Sequence, residues 1–137
     1  MGCKRVIVVT DSEKAGEILH AAVASCGFLG IITSDLEDAV ENTCLEGFDL
    51  VVIDALRESI DPGGEISTLA QLGFNDVPVV VLGYKATMSS AMRAYGAGAS
   101  VYLPKPFSKD VFTDTVKYLI GDLPPAEKLR IEQRLIM

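Results

Sequence analysis

Tryptophan is absent from this chain, histidine occurs once, and 12 basic residues face 19 acidic ones. Each shortage closes off a class of function. A net charge of −7 leaves no clustered cations to neutralise phosphates, so direct nucleic-acid binding is not expected. The lone His20 has no second imidazole or thiolate near it in sequence and reads as an ordinary boundary residue. Cys3, Cys26 and Cys44 are odd in number and widely spaced, which excludes a disulfide framework and a CxxC metal or redox site. They read as small hydrophobes in a reducing cytoplasm. No apolar run nears the roughly 18 residues that span a bilayer, and Val6 to Val9 is too short for the core of a signal peptide. The expectation is a cytoplasmic protein with no membrane partner.

What is present is ordinary for a globular domain: 137 residues, 49% hydrophobic and 23% charged, enough for one domain with its own core. Two runs, Lys4–Thr10 and Phe48–Asp54, are too continuously apolar to leave one face in water. They suit central parallel strands covered on both sides. Phe28–Thr33, Val79–Leu82 and Ser100–Leu103 read as three further strands. Between them lie helical patterns. Ser12 caps a first helix with Ala15, Ile18, Leu19, Ala22, Val23 and Cys26 inward, ended by Gly27. Ser34 or Asp35 caps a second with Leu36, Ala39, Val40, Thr43 and Cys44 inward and Gly47 behind it. A third runs from about Glu65 to Leu72, a fourth from Ala86 to Tyr95 closed by Gly96 and Gly98, and a fifth from Ser108 to Ile120. Alternation of this kind predicts a doubly wound α/β fold with a five-stranded parallel sheet. Residues 1–121 form that domain, and 122–137 a Pro-containing linker with a charged final helix whose apolar stripe is incomplete.

In such a fold, chemistry gathers at the carboxyl ends of the strands, and the first and third strands are neighbours. Asp11 and Asp54 therefore approach each other. Two close carboxylates repel unless a hard cation joins them, and Mg²⁺ suits one or two carboxylates plus waters and a phosphate oxygen. Lys105, at the end of the fifth strand, brings an ammonium to the same rim. A carboxylate nucleophile, a metal and a lysine together make a site for accepting a phosphoryl group as an aspartyl phosphate.

The segments VIVVTDSE, FDLVVIDA, VPVVVL and above all GASVYLPKPF resemble the receiver domains of two-component response regulators, from about Arg5 to Ile120. The resemblance implies a flavodoxin-like (β/α)5 fold with strand order 2-1-3-4-5. It makes Asp54 the phospho-acceptor, Asp11 a Mg²⁺ ligand, Leu56 a backbone-carbonyl ligand and Lys105 the phosphoryl contact. It also implies a cis Lys105–Pro106 peptide. As partners it implies a sensor histidine kinase or phosphotransfer protein upstream. A downstream protein would dock on the face of the Ala86–Tyr95 helix, the Ser100–Leu103 strand and the helix after Ser108, and a homodimer is among the assemblies it allows. Any enzymatic activity would be confined to self-phosphorylation and autodephosphorylation.

Three positions depart from that pattern. Thr10 stands where a second acid is usual. Gly83 replaces the Ser or Thr whose hydroxyl bonds the phosphoryl oxygen, and Tyr84 replaces a small residue. The aromatic switch position is kept as Tyr102. Two readings follow: a phosphorylatable receiver with altered switching, or a pseudo-receiver that binds proteins without regulated phosphate. A flavodoxin-like cofactor binder is disfavoured, because Thr10-Asp11-Ser12-Glu13 is an acidic turn and no Gly-rich phosphate cradle follows a strand.

Overall fold

The computed structural model describes residues 4–42, 47–54, 67, 76–83 and 87–136. The expected third helix at Glu65–Leu72, and the site positions Leu56 and Tyr84, lie outside them. Five strands, β1 (Arg5–Val9), β2 (Leu29–Thr33), β3 (Leu50–Asp54), β4 (Val79–Gly83) and β5 (Val101–Pro104), form one sheet. Every pairing is parallel and the order is β2-β1-β3-β4-β5. The described helices are α1 (Glu13–Ser25), α2 (Leu36–Asn42), α3 (Met88–Ala97), α4 (Lys109–Ile120) and α5 (Pro125–Ile136). This is the doubly wound fold that the alternation predicts.

The central strands are apolar throughout because both their faces are covered. Val6, Val8, Leu50, Val52, Val80 and Leu82 pack on one side with Leu19 and Val23 of α1 and Phe112 and Val116 of α4. Ile7, Val9, Val51, Ile53, Val79 and Val81 pack on the other with Leu36 of α2 and Ala94 of α3. Each such side chain removed from water contributes about 1.5–3 kcal/mol, so a polar residue in the interior of β1, β3 or β4 would cost heavily. Polar residues are admitted only where those strands end.

Hydroxyl side chains start three of the helices. Ser12, Thr87 and Ser108 each accept the N–H of the residue three further on, all at 3.1 Å, satisfying donors that the first turn leaves unpaired. The helix of α3 continues through Gly96, and Gly98 at φ 118° closes it; only glycine adopts that conformation without strain. On α1 the buried stripe is Gly16, Leu19, Ala22 and Val23, while Ile18 is 60% exposed. Gly16 takes the inward place because Ile32 of β2 leaves no room there for a Cβ. Pro104 ends β5 instead of breaking the chain before it. An edge strand tolerates the missing N–H, and the next residue, Lys105, resumes bonding by donating its N–H to the Gly83 carbonyl at 2.9 Å.

The final helix α5 lies on α4. Ile131 is fully buried, the Tyr118 hydroxyl donates to Glu132 Oε1 at 2.5 Å, and Arg130 lies 3.9 Å from Asp114. No helix among the described residues is long and apolar enough to cross a membrane.

Candidate functional site

Asp54 is the last residue of β3 and its side chain is only 1% exposed. A carboxylate so deeply placed needs partners, since an isolated buried charge is strongly unfavourable. It has two. The Thr10 hydroxyl donates to Oδ2 at 2.7 Å, and the Lys105 ammonium forms an ion pair with Oδ1. Thr10 gets there by register: Val9 pairs with Ile53, so the residue after each, Thr10 and Asp54, meet at the rim. The Thr10 oxygen also accepts the Ser12 N–H at 3.1 Å. That second bond fixes the hydroxyl's single proton toward Asp54, because a hydroxyl has one donor only.

The two oxygens of Asp54 are therefore unlike. Oδ2 is held in a directional, charge-assisted hydrogen bond. Oδ1 is completely buried and accepts no such bond from the described residues; Lys105 reaches it only as a charge. The lysine side chain is 32% exposed. The Lys105–Pro106 peptide is cis, as the resemblance implies.

Asp11 follows Thr10 at the end of β1 and is exposed. Among the described residues no group of three or more His, Cys, Asp or Glu comes together as a metal cluster. Two carboxylates at adjacent strand ends have the donor chemistry Mg²⁺ takes alongside its waters, and Asp54 Oδ2 keeps a lone pair beyond its bond from Thr10. Leu56, expected to add its carbonyl, is not among the described residues.

Gly83 and Tyr102 are closely related in space. A Cβ on Gly83 would fall less than 3.0 Å from the Tyr102 hydroxyl oxygen, Cζ and Cε1. The ring lies directly over the glycine, and its inner side packs against the core cluster that contains Val81 and Ala94. The Tyr102 N–H, on the outer edge of the sheet, donates to the Tyr95 hydroxyl at 3.1 Å, which ties β5 to α3. Two features had not been assigned roles from sequence: the bond from Thr10 and the clamp from Tyr95. The strand register alone points to the first; nothing in the sequence points to the second.

Comparison with known proteins agrees with this geometry. The family model described as response regulator receiver domain matches residues 6–117. The chain is 26% identical over 121 residues to the response regulator MprA of Mycolicibacterium vanbaalenii, covering 88% of this chain and 52% of that protein. It thus spans about half the length of the curated relatives it matches. Among solved structures, a response regulator from Thermotoga maritima superposes with a TM-score of 0.75 at 26% identity, covering 88% of this chain and all of the other. A putative response regulator from Chloroflexus aurantiacus gives 0.74 at 22%, covering 86% and 98%, and the beryllofluoride-activated NtrC4 receiver domain dimer 0.71 at 26%, covering 84% and 94%. Sheet order, buried strand-end aspartate and matched span lead to one conclusion: the chain belongs to the response regulator receiver domains of two-component systems.

Proposed function

We propose that this receiver accepts a phosphoryl group on Asp54. The observation that carries the reading is a carboxylate almost wholly removed from water at the carboxyl rim of the sheet and paired there with the Lys105 ammonium. Oδ1 is the attacking oxygen, since Oδ2 is committed to Thr10. Its electron pair forms a bond to the phosphorus of a phosphohistidine or a small acyl phosphate. The bond to the donor breaks, and its electron pair leaves with the imidazole or carboxylate. As the negative charge moves from Oδ1 onto the phosphoryl oxygens, the Lys105 ammonium on its flexible stem pairs with them. Thr10 keeps the carboxylate from rotating during transfer. Asp11 and Asp54, with the Leu56 carbonyl, would hold Mg²⁺, which when bound neutralises charge on the phosphoryl group.

The donor is a sensor histidine kinase or phosphotransfer protein in the cytoplasm, and residues 1–121 form the receiving unit, with 122–137 as linker and closing helix. A downstream partner docks on α3, β5 and α4. Met88, Met92 and Tyr95 are 76%, 66% and 48% exposed, and their spacing sets them along one face of α3. The dimeric state of the NtrC4 receiver makes self-association through a receiver face a reasonable second use. The pseudo-receiver reading is favoured by two features, the uncharged Thr10 and the missing side chain at Gly83. Incubation with Mg²⁺ and acetyl phosphate, read by intact mass, separates the two. Uptake of one phosphoryl group by the wild type and none by Asp54→Asn supports the acceptor; no uptake by either leaves a docking module.

A further inference from the structure

We propose that the flank of α4 facing β5 is a docking site for an amphipathic helix, held closed by the chain's own α5. This deepens the docking reading of the α3, β5 and α4 face and rests on it. The two flanks of α4 have different neighbours. α1 covers β2, where its Val23 lies over Gly30, and packs beside α4, with Cys26 Sγ 4.0 Å from the Thr113 carbonyl. α1 and α4 share one face of the sheet, and β5 is the edge strand far from β2. The flank of α4 turned away from Thr113 therefore looks toward β5. Helical spacing puts Val111, Thr115 and Tyr118 on that flank, with Asp114 at its outer rim.

That flank is where α5 sits. Ile131 is completely buried, and so is Thr115. The Tyr118 hydroxyl donates to Glu132, and Asp114, only 13% exposed, faces Arg130. The helix thus offers one aliphatic side chain with a base immediately before it and an acid immediately after, met by the Asp114 carboxylate and the Tyr118 phenol. Its neighbours add little: Leu129 is 55% exposed, and Arg130 is shared with Glu127 of its own helix. A contact this small holds because it is intramolecular. Gly121 to Pro124 joins the two helices, and so short a tether keeps α5 at an effective concentration of about millimolar. A partner helix with the same Arg-Ile-Glu order competes for the same groups, and takes the site once its own affinity outweighs that local concentration.

The test adds a peptide of residues 125–137 to the full chain and follows the amide resonances of α4 by NMR. Ile131→Asp, with Ile131→Ala as the milder change, should free α5 while thermal melting shows the sheet domain still folded. Release is read at Tyr118. Its phenol, raised in the wild type by the bond to Glu132 and then by burial, should return to its ordinary value of about 10. The released chains should bind the peptide and shift Val111 to Tyr118. The wild type should bind it about tenfold more weakly or worse, because α5 competes from within. The peptide carrying Ile131→Asp should not bind, and Tyr118→Phe in the released chain should weaken binding about fivefold. A Tyr118 that still titrates high in both variants, or a released chain that ignores the peptide, overturns the proposal and leaves docking through α3 and β5 standing. Equal binding by wild type and released chains overturns it as well. Peptide shifts on α1 instead of α4 overturn the docking reading too.

Discussion

Replacing Thr10 with valine removes one hydroxyl from the buried site and almost nothing else, because the two side chains have nearly the same shape. The lost bond is a 2.7 Å contact to a carboxylate whose side chain is 1% exposed. Hydrogen bonds to charged groups contribute about 1.5–3 kcal/mol, and the bereaved acceptor cannot turn to water here. The Ser12 N–H also loses its acceptor, but Ser12 is half-buried and solvent replaces that bond at little cost. A loss of about 2 kcal/mol follows, which for a domain of this size lowers the melting temperature by about 8 °C. Urea denaturation of Thr10→Val, Thr10→Ser and wild type measures it directly, with Thr10→Ser much the milder change. Repeating Thr10→Val in an Asp54→Ala background should cost less than about 0.5 kcal/mol, since the acceptor is gone, giving a coupling of about 1.5 kcal/mol. Equal costs in both backgrounds would show that Thr10 matters through packing alone and would refute the reasoning.

Asp11→Ala should abolish Mg²⁺ binding in a calorimetric titration, whereas an unchanged affinity would remove Asp11 from the ligand set. Affinity in the wild type should be weak, with Thr10 in place of a further carboxylate. Gly83→Ala should expel the Tyr102 ring at a cost of about 1–3 kcal/mol, seen as large shifts of the Tyr102 ring resonances; an unmoved ring would contradict the packing described. At the other end of the domain, the bond to Glu132, followed by burial, raises the Tyr118 phenol above its ordinary value. The stabilisation is therefore complete below the unfolded value near pH 10 and is lost as pH rises through the higher folded value. Denaturation series above about pH 9 should show that loss in wild type and not in Tyr118→Phe.

Much of this was legible in the residues because strand periodicity and strand-end chemistry are local signals. Two uninterrupted apolar runs can only be central strands, and an acid closing one of them and a lysine after another fall at the same rim. The helices were less clear. Ile18 and Gly16 both fit a helical stripe, and the inward one was decided by Ile32 on another strand. Ile131 looked like part of an incomplete stripe, yet α4 offers it a fully buried place. The hardest residues were those whose meaning is relational. Thr10 reads as a missing acid until register sets it beside Asp54. Gly83 reads as a missing hydroxyl until Tyr102 is seen in the space it leaves. A glycine carries no information about what fills its vacancy, and only the packed sheet supplies it.

The central claim, that Asp54 is the acceptor, is tested most directly by locating the phosphoryl group. Borohydride reduces an acyl phosphate to the alcohol, so a phosphorylated aspartate becomes homoserine, detectable by peptide mass. After labelling with acetyl phosphate and Mg²⁺, homoserine should appear at position 54 and nowhere else. Homoserine at Asp11, or at no position in a protein that has gained a phosphoryl group, would contradict it.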